Sequence, residues 1–133
     1  MALMATAKGS SKIKEKVFEN RMQHVSQLKK MGASIHVNEN VALITGVKKL
    51  KGSNVTGGDL RSSAAIVLAC ISANGNSIFT GLEHLDRGYE NLEEKLNNSG
   101  ANIYRKVRKV SYYQTSSQAL VEEENINTNQ KAA

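Results

Sequence analysis

The chain has 133 residues, enough for one domain with a modest core, and its single cysteine, Cys70, excludes an internal disulfide framework. Its longest uncharged and largely apolar run, Ser62 to Ala73, is shorter than the roughly 20 residues of a membrane-spanning helix, so no membrane segment is expected. Residues 1–113 carry 17 Lys and Arg against 9 Asp and Glu, a net charge of +8, which favours an anionic partner.

The first half of the chain predicts a helix, a strand, a second helix and a hairpin. The strand alternates, and its lysines Lys12, Lys14 and Lys16 share the face expected to contact solvent. In the second helix apolar residues recur at helical spacing until Gly32 ends the pattern. The predicted elements are, in chain order, Met1–Ala7, Ser10–Phe18, a helix through Val25, Leu28 and Met31, and the strands Ala33–Val37 and Val41–Thr45.

The second half is organised around a central helix. Asp59 is placed to cap its first turn, and the small and aliphatic residues from Ala64 to Ala73 predict that the helix is buried. Arg61 stands in the first turn, where a cation opposes the helix dipole, so it fits better as a contact for an anion than as a helix stabiliser. Around this helix the sequence predicts two strands, a further helix and a last strand, at Asn54–Thr56, Ser77–Thr80, Tyr89–Ser99 and Ala101–Val107.

The end of the chain differs in composition from the rest. Residues 114–133 are rich in Asn, Gln, Ser and Glu and carry one Lys against three Glu. Such a segment buries too little apolar surface to offset the entropy lost on ordering. We therefore expect a domain portion over residues 1–107 and a tail over residues 108–133 that is largely disordered beyond residue 113.

The two halves contain an internal repeat. Four residues recur 68 positions later with the same identities, and in both places they span the end of a predicted helix and the start of a predicted strand. The repeated residues are Leu28, Gly32, Ala33 and Ile35 in the first half and Leu96, Gly100, Ala101 and Ile103 in the second. A repeated order of strand, polar corner, helix and strand predicts stacked α/β units whose corners share one face.

Three polar corners each combine an acid with an arginine. The arginines are Arg21, Arg61 and Arg87, and the corner that carries Arg87 is predicted to span residues 83–88. In one interpretation each acid pairs with the arginine beside it at the surface, which contributes at most about 1 kcal/mol. In the other, the three arginines together form an anion site, because guanidinium groups bind phosphate and carboxylate oxygens bidentately. The presence of three such corners at helix ends favours the anion site.

The corner motifs resemble a known family. Val17–Val25, Gly57–Ala65 and His84–Glu90 are similar, in order and spacing, to the C-terminal end of the UDP-N-acetylglucosamine enolpyruvyl transferases. The resemblance runs from Met1 to about Val107. It implies an α/β fold, namely part of an inside-out α/β barrel domain of the EPSP synthase type, built from repeated strand-helix units with buried helices and outer sheets.

The resemblance also implies a reaction and its residues. The family transfers the enolpyruvyl group of phosphoenolpyruvate to the 3-hydroxyl of UDP-N-acetylglucosamine, the first committed step of peptidoglycan synthesis, in the cytoplasm and without a metal or organic cofactor. Carried over by motif, Arg87 contacts phosphoenolpyruvate, and Asp59 and Arg61 lie near the reacting groups. Val17 and Arg21 stand where the family binds the UDP-sugar.

Some of the family's catalytic residues precede the matching region. The family's usual proton donor, a cysteine on a mobile loop, and the aspartate that acts on the sugar hydroxyl both lie upstream of what is here Met1. We therefore expect the chain to be inactive alone. Two interpretations stay open: one piece of a split enzyme, with the upstream portion as a separate partner chain, or a remnant that has lost the reaction. Cys70 is no substitute, since a thiol among aliphatic residues in mid-helix is typical of packing. The three histidines lack metal-ligand spacing, and only His84, beside Asp86 and Arg87, is expected near the site.

Two other functions stay open at this point. The lysines Lys48, Lys49 and Lys51 and the positive body allow a basic module that binds polyanions, although no nucleic-acid motif accompanies them and no specific nucleic acid is expected. The second alternative is another enolpyruvyl transferase, the one of the shikimate pathway. Protection by UDP-sugar or by shikimate 3-phosphate would discriminate between the two transferases.

Overall fold

Two sheets with the same internal arrangement frame the protein, whose computed structural model describes residues 1–107 and 124–128. The helices in this part are α1 (Ala2–Thr6), α2 (Val25–Lys30), α3 (Leu60–Ser72), α4 (Leu82–Asp86) and α5 (Leu92–Asn98). The strands are β1 (Ser10–Lys14), β2 (Ser34–Asn38), β3 (Val41–Thr45), β4 (Asn54–Thr56), β5 (Ser77–Thr80), β6 (Ile103–Val107) and β7 (Glu124–Thr128).

In each sheet, two parallel strands are separated by a third strand that runs antiparallel to both. The first sheet has the order β1-β3-β2, and the second has the order β4-β5-β7-β6. Strand β7 thus occupies the position between β5 and β6 that β3 occupies between β1 and β2. Strand β4 adds to the second sheet, parallel to β5, and α3 forms the crossover between them. The predicted hairpin of β2 and β3 is confirmed.

The internal repeat is confirmed, and a helix-ending motif explains its residues. Gly32 and Gly100 both adopt left-handed backbone, with φ of 86° and 93°. The following alanine donates its N–H to the leucine carbonyl five residues back at 3.0 Å, from Ala33 to Leu28 and from Ala101 to Leu96. This is the Schellman motif, in which glycine adopts the left-handed conformation without steric cost. The Leu, Gly and Ala of the repeat are therefore the residues that end α2 and α5.

Strand β1 is shorter than predicted, because the chain turns at Glu15. The carboxylate of Glu15 accepts the backbone N–H of Val17 at 2.8 Å and that of Phe18 at 3.2 Å. The Glu15 backbone is itself tied to Asn40, which donates its side-chain amide to the Glu15 carbonyl at 2.7 Å. The prediction that the strand continues to Phe18 is wrong, since this turn takes Val17 out of the sheet.

The prediction of a polar corner over residues 83–88 is wrong for its first part, which forms α4. Leu82 and Leu85 are both buried, and their spacing of three residues is that of one helical turn. The predicted helix Tyr89–Ser99 is correspondingly shorter and spans Leu92–Asn98. Leu82 and Leu85 are the apolar residues that indicate this helix, although charged residues surround them in the sequence.

Strand β7 lies in the segment for which disorder is expected. Residues 124–128 pair with β5 and β6, so the expectation is wrong for these five residues. The alternating sequence Glu-Asn-Ile-Asn-Thr is too polar to indicate a strand by composition. The rest of the predicted tail lies outside the described residues.

Helix α3 packs between the two units and is buried on one face only. Ile66, Val67 and Cys70 are each 1% exposed and join the common core with residues of both sheets. Leu68, in contrast, is 54% exposed. The prediction of a buried helix therefore holds for one face. In the part of the chain that the structure describes, none of the helices is long and apolar enough to cross a membrane.

Candidate functional site

The first corner, residues 15–23, follows β1 and lines a cavity of about 650 Å³. Hydrogen bonds from the N–H groups of Val17 and Phe18 lower the pKa of the Glu15 carboxyl, which therefore stays ionised as it shapes the turn. The guanidinium of Arg21 lies over the ring of Phe18, 4.3 Å from its centroid, in cation–π geometry. Val17 is 78% exposed in this wall. The cavity lining thus combines apolar side chains with two cations, Lys16 and Arg21, and three carboxylates, those of Glu15, Glu19 and Glu39.

The second corner, residues 57–62, begins α3. The Asp59 carboxylate accepts the N–H groups of Arg61 and Ser62 at 3.0 Å each, and the Asp59 N–H donates to the Ser62 hydroxyl at 3.2 Å. This reciprocal capping box confirms the predicted cap. Burial of the carboxyl acts to raise the pKa of Asp59, but the hydrogen bonds from Ser62 and Arg61 outweigh it, and the pKa lies below its ordinary value. Asp59 is accordingly an anion at neutral pH.

The third corner, residues 86–91, connects α4 to α5. Arg87 is the residue that ends α4, and its side chain is exposed. Asp86, directly before it, does not pair with Arg87. Its carboxylate instead accepts two hydrogen bonds from the guanidinium of Arg105 on β6, at 2.7 and 2.9 Å. The corner is closed by Asn91, whose φ of 48° is left-handed.

The three corners adjoin one another at the start of α3. A Cβ built on Gly58 would lie 3.9 Å from the side-chain oxygen of Gln23 in the first corner. A Cβ built on Gly88 would lie 2.8 Å from a methyl group of Leu60, which places the third corner against the first turn of α3. The predicted site residues Arg21, Asp59, Arg61 and Arg87 therefore belong to neighbouring segments, with Asp59 and the first turn of α3 in the middle.

The interpretation in which each acid pairs with the arginine beside it is wrong. Asp59 is engaged by the N-terminal N–H groups of α3, and Asp86 by Arg105. Over residues 1–107 and 124–128, the guanidinium groups of Arg21, Arg61 and Arg87 form no ion pair with a carboxylate. Asp59 and Asp86 therefore serve the structure, and neither of them neutralises the arginine beside it.

Sequence reasoning missed several residues that shape the site. Glu15 forms the first turn, and Arg105 orders the third corner from a strand eighteen residues downstream of Arg87. His24 borders a smaller cavity of about 190 Å³ between α2 and the start of α3, and burial lowers the pKa of its imidazole. No local pattern marks these residues, since each acts on a partner that is distant in sequence or on the backbone. His84, predicted to be near the site, contacts Glu83 at 3.5 Å.

The fold and the corners define an α/β protein of repeated units, with corner arginines that have no carboxylate partner among the described residues. The family model for EPSP synthase (3-phosphoshikimate 1-carboxyvinyltransferase) matches residues 1–96. This chain belongs to that family, and the predicted enolpyruvyl transferase fold is confirmed.

Curated relatives that share one name are similar to this chain over most of its length. The chain is 66% identical over 133 residues to the UDP-N-acetylglucosamine 1-carboxyvinyltransferase of Prochlorococcus marinus strain NATL2A, covering 100% of this chain and 29% of that protein. It is 59% identical over 107 residues to the UDP-N-acetylglucosamine 1-carboxyvinyltransferase of Prochlorococcus marinus strain MIT 9515, covering 80% of this chain and 23% of that protein. The chain thus spans less than a third of the length of the curated relatives it matches.

Solved structures of enolpyruvyl transferases superpose on this chain. The enolpyruvyl transferase NikO from Streptomyces tendae superposes with a TM-score of 0.68 at 31% identity, over 76% of this chain and 24% of that chain. An EPSP synthase from Acinetobacter baumannii superposes with a TM-score of 0.61 at 19% identity, over 98% of this chain and 28% of that chain. The second comparison supports the fold alone.

Proposed function

We propose that this chain forms one part of an enolpyruvyl transferase that joins phosphoenolpyruvate to the 3-hydroxyl of UDP-N-acetylglucosamine and releases phosphate. The observation that carries the proposal is the 66% identity over the whole chain to a protein of that name. The reaction would be the first committed step of peptidoglycan synthesis, in the cytoplasm, where the single free cysteine fits a reducing environment.

Arg87 and Arg61 are proposed to bind phosphoenolpyruvate. The substrate carries a phosphate and a carboxylate, and a guanidinium binds such oxygens through paired, charge-assisted hydrogen bonds. Both arginines are exposed at adjoining corners, and neither is neutralised by the acid next to it. Asp59 would hold the first turn of α3 and place a negative charge near the reacting groups.

The first-corner cavity is proposed to hold the UDP-sugar. Its volume of about 650 Å³ lies in the range of small-molecule sites. Val17 and Phe18 provide an apolar wall, and Arg21 provides a cation for the diphosphate. Because Arg21 is already fixed over the Phe18 ring, little side-chain entropy is lost when it binds an anion.

The reaction also needs a proton donor for the substrate methylene and a base for the sugar hydroxyl. By family resemblance these groups lie in the portion of the enzyme that precedes the matching region. Exposed leucines on α1 and α3, two helices that contact each other, support a surface that the rest of the enzyme covers. Leu3 of α1 is 83% exposed and Leu68 of α3 is 54% exposed, and such side chains are expected to be covered in an assembled enzyme.

The test is phosphate release from phosphoenolpyruvate in the presence of UDP-N-acetylglucosamine. The chain is assayed alone and after co-expression with the upstream portion of the Prochlorococcus marinus NATL2A relative, a combination called here the assembled enzyme. Activity only in the assembled enzyme is expected. An assembled enzyme that is folded and binds neither substrate would overturn the proposal.

A second candidate is the shikimate-pathway reaction, which the name of the matching family model favours. The 19% identity to an EPSP synthase makes it weaker than the first candidate. Replacing UDP-N-acetylglucosamine by shikimate 3-phosphate in the same assay separates them, since phosphate release then occurs with one acceptor only. Salt-sensitive binding of arbitrary DNA by the chain would instead support the basic polyanion module.

A further inference from the structure

Arg105 connects three elements around the third corner. Its guanidinium donates to both oxygens of Asp86 at the end of α4, at 2.7 and 2.9 Å. It also contacts both oxygens of Glu93 in the first turn of α5, at 3.1 and 3.4 Å. One side chain on β6 thus binds a carboxylate on each side of the segment 87–91.

Partial burial and charge stabilise the geometry of the network formed by Arg105, Asp86 and Glu93. The side chains of Arg105, Asp86 and Glu93 are 26%, 42% and 24% exposed, so all three are partly shielded from water. The hydrogen bonds from Arg105 lower the pKa of Asp86, which keeps the pair charged. Bidentate pairs in a network of this kind restrict both partners more than a single surface ion pair does.

Arg87 follows Asp86 directly, yet it has no carboxylate partner among the described residues. Arg105 accounts for this in two ways. It engages the carboxylate of Asp86, which directly precedes Arg87 in the chain, and through Asp86 and Glu93 it holds both ends of the short segment that carries Arg87. A cavity of about 450 Å³ opens at this corner, and its lining residues are Asp86, Tyr89, Glu90, Asn91, Glu93 and Arg105.

We propose that Arg105 is a positioning residue that, by holding Asp86 and Glu93, keeps Arg87 available and oriented for a phosphate- or carboxylate-bearing substrate. The inference rests on the proposed function, in which Arg87 contacts phosphoenolpyruvate. Arg105 is assigned a positioning role because its guanidinium donates to the carboxylates of Asp86 and Glu93. Its removal would leave the Asp86 carboxylate, next to Arg87 in the chain, without its bidentate partner and would release the corner.

The experiment is a titration of the ¹⁵N-labelled full chain with phosphoenolpyruvate, followed by NMR on the arginine side-chain N–H signals. Arg105→Met is expected to weaken binding about tenfold. The matched control is Lys106→Met, which removes the same charge from the neighbouring, exposed position of β6. The control is expected to change the affinity by less than about twofold, the effect of one distant surface charge.

A double-mutant cycle separates positioning from a general structural effect. If Arg105 acts through Arg87, then Arg105→Met adds almost nothing in an Arg87→Met background. Equal losses with and without Arg87, or a loss no larger than that of Lys106→Met, would overturn the inference. If Arg105→Met does not fold, Asp86→Asn serves in the same cycle, since it removes the bidentate pair and keeps Arg105 bound to Glu93.

The titration measures anion binding and not turnover, so the two proposals can fail separately. Coupling between Arg105 and Arg87 in a chain whose assembled enzyme is silent rejects enolpyruvyl transfer and retains the positioning role. Turnover in the assembled enzyme without coupling between Arg105 and Arg87 retains enolpyruvyl transfer and rejects the positioning role. A wild-type chain whose Arg87 signal does not respond to phosphoenolpyruvate rejects the positioning role as stated.

Discussion

Gly81 lies against the backbone of Gly57, so that a Cβ at position 81 would come within 2.9 Å of the Gly57 carbonyl oxygen. The contact joins the end of β5 to the loop that begins α3, and the N–H of Gly57 donates to the Thr80 carbonyl at 2.8 Å. Since backbone cannot move aside as a flexible side chain can, this approach fixes the second corner relative to the sheet. The site therefore depends on a glycine that carries no functional group.

Gly81→Ala should destabilise the protein more than Gly75→Ala, by about 1–3 kcal/mol. Both glycines have left-handed backbone, with φ of 88° and 85°, so the two alanines carry a similar conformational cost. They differ in space, because nothing lies within 4 Å of a Cβ at Gly75. Urea denaturation of the two variants measures the difference. Equal denaturation midpoints would show that the loop at Gly57 moves to accommodate the added methyl group without loss of stability.

Asp59→Ala should cost about 1 kcal/mol of stability through loss of the cap on α3. Asp59→Asn should retain most of that stability, because an asparagine oxygen can accept the same N–H groups, while it removes the charge. If Asp59 also serves the reaction, Asp59→Asn lowers turnover of the assembled enzyme at nearly unchanged stability. Full turnover in a folded Asp59→Asn enzyme would restrict Asp59 to its capping role.

Arg87→Ala and Arg61→Ala should each lower turnover of the assembled enzyme by about 100-fold or more, because each removes positioned positive charge from the anion site. Folding should change little, since both side chains are exposed. Lys49→Ala, also exposed, provides the control for loss of one positive charge. A variant that loses soluble expression but retains turnover per folded molecule would show that the arginine is structural.

Stability should fall in acid, in part through Asp86. Arg105 lowers the pKa of Asp86 in the folded state, so the unfolded state binds a proton more readily. The stabilising contribution is therefore complete above the ordinary carboxyl pKa of about 4 and is lost as the pH falls through the lower, folded value. In urea denaturation across this range, Asp86→Asn should show a flatter acid dependence than the wild type. Parallel curves would mean that the pair with Arg105 contributes nothing in solution.

Cys70 should resist alkylation in the folded protein. Burial raises the pKa of its thiol to about 11, although a hydrogen bond from Ser77 acts in the opposite direction. Since the thiolate is the reactive species, iodoacetamide at pH 8 should label Cys70 only after denaturation. Cys70→Ala should leave turnover of the assembled enzyme unchanged. Rapid labelling of native protein would contradict the packing role.

Local patterns predicted much of the fold. Apolar spacing, Asp59 as a cap and Gly32 and Gly100 as helix ends indicated α2, α3, the hairpin and the repeat, because these features act within a few residues of one another. The errors lie where distant residues compete with local preference. Glu15 turns the chain by binding backbone N–H groups, and Leu82 and Leu85 form a helix because the core accepts their side chains.

The sequence by itself determined the family and the presence of three arginines at polar corners. The tertiary structure decided which charges pair, because pairing depends on distance in space and not on order in the chain. Asp86 is next to Arg87 in sequence, yet it binds Arg105, which the sheet brings from β6. Asp59 is engaged at the N-terminus of α3. Folding thus gives Asp59 and Asp86 internal partners and leaves Arg21, Arg61 and Arg87 without carboxylate partners among the described residues.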